Sequence, residues 1–494
     1  MAKALKNRAA KVRYTSPLQL SLGEFDTGFG FKLNANNRWV ILAKRIPWDD
    51  ICSIYNRRLN NHMLGADGIN PRVAIGALVI KHMCNLSDRE TIQQIQENLY
   101  MQYFVGLPGF TDEPLFDPSV FVDIRKRLGI EQINEINERI MKIDRRLDVD
   151  ENDKSKDEPG KGDGEGNKGK IIMDATACPQ DIAYPTDLHL LNEAREKSED
   201  LIDFLCEQKL RNNMPAAKPR TYRKKARKDF LKTAQKKHKT KSELRRAIRK
   251  QLGYLRRNIK NIHKELDMQG LVFSPRNYKY WLVIQTLYEQ QLQMFTTKTH
   301  SIAHRIVSIH QPHVRPIVRG KSNAYVEFGA KIQVSLMNGI AFLDELSWEA
   351  FNEGTRLKKA VEDYRARFGF YPKEVLADKI YCNRDNRAWL AQHDIRLKAK
   401  PLGRPSKAVK HHVSPGERNP IEGLFGQAKN AYGLGKIRAR LDITSESWIA
   451  TTIMVLNLIN IIGRASLCLV VLLNKWINRI MLSNCRAQPA SAFA

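Results

Sequence analysis

Between residues 48 and 146 apolar side chains recur every three or four positions, and this stretch predicts a series of helices. Ser87-Asp88-Arg89-Glu90 has the form of a capping box and opens TIQQIQENLYMQYFVGL, where Ile92, Ile95, Leu99 and Phe104 keep a helical spacing. Asp117-Pro118 starts another helix, SVFVDIRKRLG, which stops at Gly129. Several short helices with basic ends suit a helix-turn-helix reader of DNA, with a small bundle used for dimerisation as the plainer alternative. Residues 1–47 hold Gly and Asn clusters without a sustained period, which predicts an irregular arm. Residues 151–170, ENDKSKDEPGKGDGEGNKGK, are polar and glycine-rich and predict a flexible linker that separates the helical domain 48–150 from the rest of the chain.

The pattern changes at residue 171. A short apolar run, Ile171-Ile172-Met173, predicts a strand that delivers Asp174. After Asp187, expected as the N-cap of LHLLNEARE, the period is helical to about residue 298. Strands return with RIVSI, VRPIVRG and AYVEFGAKIQVSLMNGIAFLDELS, where Asn338-Gly339 between apolar runs signals a hairpin. A helix (TRLKKAVEDYRARFG), a strand (EVLADKIY), a second strand candidate (IRLKAK) and a Pro-rich PLGRPSKAV come next. NPIEGLFGQAKNAYG then opens a helix that leads into an apolar region. This order predicts a mixed α/β sheet split by a long helical insertion, behind an N-terminal all-helical domain. Residues 449–477 are apolar enough to suggest a membrane segment. Asn457, Asn460, Arg464 and Asn474 interrupt them, which favours a buried helix or helix pair.

Charge narrows the partners. The chain carries 82 Lys+Arg against 53 Asp+Glu, a formal +29, which points to nucleic acid before an anionic membrane. Positions 218–260 hold 19 Lys+Arg and 2 acidic residues, so over half of the excess lies in 43 residues. In KSELRRAIRKQLGYLRRNIKNIHKEL one stripe (Leu244, Ile248, Leu252, Leu255, Ile259, Ile262, Leu266) is apolar and the other faces are dense in cations. A solvated face is the ordinary reading of a charge run, but such faces mix signs because like charges four apart repel. A run this one-sided suits a DNA-gripping face, with Arg245, Arg246, Arg249 and Lys250 as phosphate-binding candidates. The seven cysteines are scattered without metal-ligand spacing and read as reduced thiols of a cytoplasmic protein.

A basic protein with an aspartate on a buried strand invites a metal-dependent reading. Cutting a phosphodiester with two divalent ions needs two or three converging carboxylates. Asp174 and Asp378 each close an apolar strand run, and Glu422 comes after Asn419-Pro420 in the first turn of a helix. Each has a plainer reading; Glu422 at the third helical position behind an Asn419 cap would be a capping glutamate. Arg418, Glu422 and Lys429, at offsets of four and seven, share one side of that helix, which suits metal plus phosphate better than a cap alone.

The motifs SDRETIQQIQENLYMQYFVGL, DATACPQDIAYPTDLHLLNEARE, KPRTYRKKARKDF, HQPHVRPIVRGK, VEFGAKIQVS, LSWEAFNE, LADKIYCNRDNR, LGRP and RNPIEGLFGQAKNAYGLGKIRARL occur in this order. In them the chain resembles the DDE transposases of bacterial insertion sequences, in the branch with an N-terminal helical domain. The resemblance covers nearly the whole chain. It implies an RNase H-like catalytic domain over 171–464, with 188–300 as the basic helical insertion and 465–494 as a C-terminal tail. It implies Asp174, Asp378 and Glu422 as catalytic ligands of two Mg²⁺ ions, with Mn²⁺ able to substitute. Arg418 and Lys429 match the basic residues of an R-x3-E-x6-K signature, although Pro415 stands where that signature has a tyrosine. The implied partners are duplex DNA, as element ends and target, and a second copy of the chain in a synaptic dimer on the nucleoid, with no membrane. The alternatives are a domesticated nuclease without strand transfer and a non-catalytic DNA-binding repressor.

Overall fold

A computed structural model describes residues 25–26, 32–58, 68–149, 166–214, 217–267, 271–318, 326–399, 415–461 and 463. The N-terminal region is helical: α1 Arg38–Arg45, α2 Trp48–Asn56, α3 Pro71–Met83, α4 Asp88–Glu97, α5 Leu99–Val105, α6 Val120–Arg127 and α7 Ile130–Val149. Helix α1 corrects the expectation of an irregular arm over 1–47. Asn37 caps it, and Trp39, Val40, Leu42 and Ala43 are buried, so four anchoring side chains hold one short helix without a long period. The Ser87–Glu90 capping box is present. The helix it opens breaks at Asn98, whose side chain accepts the amides of Tyr100 and Met101 and starts α5 afresh. An asparagine that satisfies two orphan amides outweighs continuity of period.

The rest of the fold is built on one six-stranded sheet, from β1 Lys170–Pro179, β2 Arg315–Val318, β3 Val326–Met337, β4 Ile340–Ser347, β5 Glu374–Leu376 and β6 Arg396–Lys398. Its order is β2-β3-β1-β5-β6, with β4 also paired to β3; β3 runs antiparallel to β1, β2 and β4, and β5 and β6 run parallel. Asn338 and Gly339 both have positive φ (51° and 77°), the form a two-residue hairpin turn requires. The segment RIVSI, expected as a strand, is not one; the returning strand begins at Arg315. Residues 167–169, placed in the expected linker, are packed: Tyr364 Oη donates to the Lys168 carbonyl at 2.9 Å and Asn167 Nδ2 to that of His393 at 2.6 Å. Residues 151–165 of that linker, the segment PLGRPSKAV and the tail 465–494 lie outside the described residues.

Between β1 and β2 stand α8 Asp187–Arg211, α9 Arg223–Ala234, α10 Lys241–Leu266 and α11 Pro275–Thr297, the expected insertion. Thr186, not Asp187, caps α8; the Asp187 carboxylate instead accepts from Gln291 at 3.0 Å and Arg305 at 2.8 Å, tying α8 to α11 and the chain beyond it. Leu252, Leu255 and Ile262 bury the predicted stripe of α10, and Gln251, Asn258 and Glu265 are buried beside it at steps of seven. They meet α8 and α9 through polar contacts: Gln251 with Arg195 and the Ala226 carbonyl, Asn258 with Ser198, and Glu265 with Lys209. This seam sets the helices in register, because a slipped register would strand buried polar groups.

After the sheet come α12 Leu357–Phe368, α13 Arg384–Gln392, α14 Asn419–Asn430 and a buried helix α15 over 442–461. Asn457, one of the residues that broke the apolar run, exchanges hydrogen bonds with the backbone of Ala341 on β4 (2.8 Å each way) and donates to Asn137 on α7. Those bonds explain a polar residue in the core. No described helix is long and apolar enough to cross a membrane. Asn134 of α7 likewise binds both backbone groups of Leu343 on β4, and a single hydrophobic cluster runs from α1 through the sheet to α15. The N-terminal helices are thus packed on the sheet and share its core.

Candidate active site

The sheet leaves an opening at its centre. β3 pairs with β1 along nine residues, from Ile171 to Pro179, while the parallel partner β5 pairs only with Lys170–Ile172. From Asp174 to Cys178 that edge of β1 therefore carries no paired strand, until Ile437 bridges it at Pro179 and Gln180. Asp174 lies at mid-strand, not at the strand end expected for it, and it is the release of β5 that exposes it. Asp378 is two residues beyond β5, ahead of the 3-10 turn Lys379–Tyr381, and its carboxylate makes no capping bond there. Parallel neighbours thus carry both aspartates to the same opening.

Helix α14 supplies the third wall. Ile421, Leu424, Phe425 and Ala428 are buried and fasten it down, while Glu422 is exposed. Arg418 is the N-cap and forms no side-chain capping bond, so Glu422 sits at the fourth helical position and the capping-box geometry is absent. Among the described residues Glu422 makes no hydrogen bond or ion pair. Asp174, Asp378, Arg418, Glu422 and Lys429 line one cleft of about 860 Å³.

Arg418 occupies the middle of it. Its Nη2 lies 3.2 Å from Asp174 Oδ2 and its Nη1 lies 3.3 Å from Asp378 Oδ1, so one guanidinium bridges the two aspartates. Asp174 Oδ1 accepts the Ala175 amide at 2.8 Å. Burial raises the Asp174 carboxyl above its ordinary pKa; the Ala175 bond and Arg418 pull it back, and Glu353 and Asp378 push it up. Arg418 thus places a positive charge beside this partly buried aspartate.

Asp174, Asp378 and Glu422 offer only oxygen donors, the kind a hard divalent cation takes. The guanidinium shared by the aspartates marks the place where a positive charge sits between them. In this arrangement no three His, Cys, Asp or Glu side chains among the described residues converge closely enough to hold an ion. The donor chemistry fits a divalent metal, and Arg418 and the ion would compete for the same two carboxylates.

The basic candidates of α10 are all exposed. Arg245 stacks on Phe295 with its guanidinium carbon 4.1 Å from the ring centre, and Lys250 pairs with Asp229 at 3.0 Å. Arg246 and Arg249 make no ion pair among the described residues. The structure does not bring this face into the acidic cleft; it lies on the insertion.

Two cleft residues are not apparent from the sequence. Glu353, opening the 3-10 turn Glu353–Arg356, and Lys331, on β3, both line the cleft and pair at 2.8 Å. They lie inside the motifs LSWEAFNE and VEFGAKIQVS, which marked the resemblance without assigning these residues a role.

The fold is that of an RNase H-like mixed α/β sheet with acidic residues at the release point of its central strands and a helical insertion after the first strand. Two family models match it: a transposase DDE domain over residues 375–459, which includes Asp378, Arg418, Glu422 and Lys429, and a transposase domain (DUF772) over residues 29–127. The chain is also 27% identical over 165 residues to an uncharacterised protein, ORF8 of the nfe locus of Rhizobium meliloti; the match covers 33% of this chain and 71% of that protein. Both matches are to transposase domains, and they support the resemblance to the DDE transposases of insertion sequences.

Proposed function

We propose that this transposase binds the terminal inverted repeats of its own element, cleaves there and joins the freed 3′-OH to target DNA, with Asp174, Asp378 and Glu422 holding two Mg²⁺ ions. The observation that carries this reading is the single cation shared by Asp174 and Asp378 in a cleft that Glu422 also lines. Asp174, Asp378 and Glu422 would hold the ions, whose charge would supply activation of an attacking oxygen and stabilisation of a leaving one. The chain's own part is to gather hard oxygen donors at an open strand edge and to set cations beside them. Arg418, displaced from the aspartates, has a planar fork suited to a phosphate, and Lys429 stands two turns along the same helix wall. The exposed cations of α9 and α10 grip the DNA backbone away from the chemistry. Holding two element ends together requires a second copy of the chain, and the nucleoid is the place of action.

The test is a nicking and joining assay on duplex end DNA with Mg²⁺. The wild type is expected to nick the end and join it to a second DNA, and Asp174→Asn or Asp378→Asn to lose at least about 10³-fold in cleavage while still binding DNA. Cleavage within tenfold of wild type by either variant would remove that residue from the site. Nicking without joining would leave a nuclease in place of a transposition enzyme.

A further inference from the structure

The cleft holds one carboxylate more than the three assigned to the metal ions. Glu353 lines it with Asp174, Asp378 and Glu422, and its turn is clamped to the turn that carries Asp378. A Cβ on Gly354 would meet the Ile380 carbonyl oxygen at 2.7 Å, so only glycine allows the two turns this close. Asn386 Nδ2, buried, then donates to the carbonyls of both Gly354 (2.7 Å) and Tyr381 (3.0 Å) and staples them together. The position of Glu353 is therefore fixed relative to Asp378 by backbone, not by a flexible loop. Its charge is handled separately. Lys331 Nζ reaches the Glu353 carboxylate at 2.8 Å and the Phe351 carbonyl at 2.9 Å, with the lysine side chain only 15% exposed. The cleft thus repeats one device: a carboxylate facing the opening, neutralised from within by a basic side chain, Arg418 in one case and Lys331 in the other.

We propose that Glu353 is a fourth carboxylate of the divalent-cation site and that Lys331 is the resident counter-ion it exchanges for the cation. This rests on the reading of Asp174 and Asp378 as cation ligands. When the cation arrives, Glu353 turns its charge from Lys331 to the ion, and Lys331 is released toward the polyanion that enters with it. The expectation has a sign that a purely structural salt bridge lacks, because removing the lysine should improve cation binding.

The experiment measures Mn²⁺ binding to the full chain by electron paramagnetic resonance, without DNA or turnover. Asp174→Asn serves as reference, and circular dichroism checks the fold of each variant. Glu353→Gln is expected to bind Mn²⁺ at least about tenfold more weakly than wild type. Lys331→Met is expected to bind more tightly, and the double variant E353Q/K331M to lose that gain. Wild-type-like affinity in Glu353→Gln, beside weakened binding in Asp174→Asn, would overturn the role of Glu353 and leave the site reading intact. A gain from Lys331→Met that persists in the double variant would also overturn it, since the lysine would then act through its field alone. Unchanged binding in Asp174→Asn would sink the site reading itself, and the role of Glu353 with it.

Discussion

The acidic cleft and the basic insertion solve opposite charge problems with opposite means. In the insertion, cations are in excess, and those that are paired find acids close in sequence or one helix away. Arg195 is bonded to Glu199 four residues on (2.6 Å), Arg223 to Asp203 (2.8 Å) and Lys250 to Asp229 (3.0 Å). In the cleft, the acids gather from β1, the turn after β5, the turn after β4 and α14, and the cation that the two aspartates share comes from far along the chain. Arg418 is 244 residues from Asp174. Local pairing makes the insertion a rigid scaffold with a surplus of cations on its exterior. Long-range pairing gives the cleft a resident cation between its two aspartates, the one that the proposed metal ions would displace. The comparison teaches where function can reside: in groups whose partners are exchangeable, not in the most highly charged segment.

That contrast can be tested from its largest consequence downward. Glu422 has no partner to lose among the described residues, so Glu422→Gln is expected to fold normally and melt no lower than wild type. It should still lose at least about 10³-fold in Mg²⁺-dependent cleavage, because hard cations favour carboxylate over amide oxygen. Normal cleavage by this variant would place the third ligand elsewhere and make Glu353 the first residue to examine.

Arg195→Met should do the reverse. It leaves the buried Glu199 without its closest partner, and losses of about 3–5 kcal/mol are typical when one half of a buried pair is removed. Urea unfolding is expected to show that loss, and R195M/E199L to recover part of it. A variant as stable as wild type would mean that the insertion does not depend on its internal pairs.

The exposed face of α10 gives a subtler effect. Neutralising Arg245, Arg246, Arg249 and Lys250 together should flatten the dependence of log affinity on log salt, by roughly 0.9 for each DNA phosphate that is no longer neutralised. Since Lys250 is paired and Arg245 is stacked, Arg246→Gln with Arg249→Gln alone should account for most of the change. An unchanged slope would mean that this face is only solvated.

The smallest effect concerns a carboxyl on the sheet. Asp344 on β4 accepts from Ser335 Oγ at 2.8 Å with one oxygen, while the other, buried, has no partner among the described residues. Burial pushes its pKa up to about 7. The folded chain then keeps a proton that the unfolded chain releases near the ordinary carboxylate value, so this group's contribution to stability falls as pH rises toward about 7. Asp344→Asn should reduce the drop in melting temperature between about pH 4.5 and about pH 7.5, an expectation of direction drawn from that linkage. An undiminished drop would assign the pH dependence to other groups.

The helical period of 48–146, the Ser87 capping box, the Asn338-Gly339 hairpin and the amphipathic stripe of α10 were all legible in the sequence, because each depends on residues within a turn or two of one another. Asp174 and Asp378 were legible as carboxylates closing apolar runs, whereas the parallel pairing of their strands came from the tertiary structure. Helix α1, the break at Asn98 and the cap at Thr186 were not, since a few anchoring contacts or one capping side chain overrode the period there.

What the sequence by itself determined, then, is the set of groups available: carboxylates after apolar strand runs, a helix bearing Arg418, Glu422 and Lys429, and a dense block of cations. Only the tertiary structure decided which charges meet. It ended the β5 pairing at Ile172 so that Asp174 is open, set Arg418 between two aspartates, and clamped the turn of Glu353 to that of Asp378. The reason is physical: helical period and capping act over a few residues, whereas the energy of a buried charge depends on every neighbour the fold brings within a few ångströms, wherever in the chain it began.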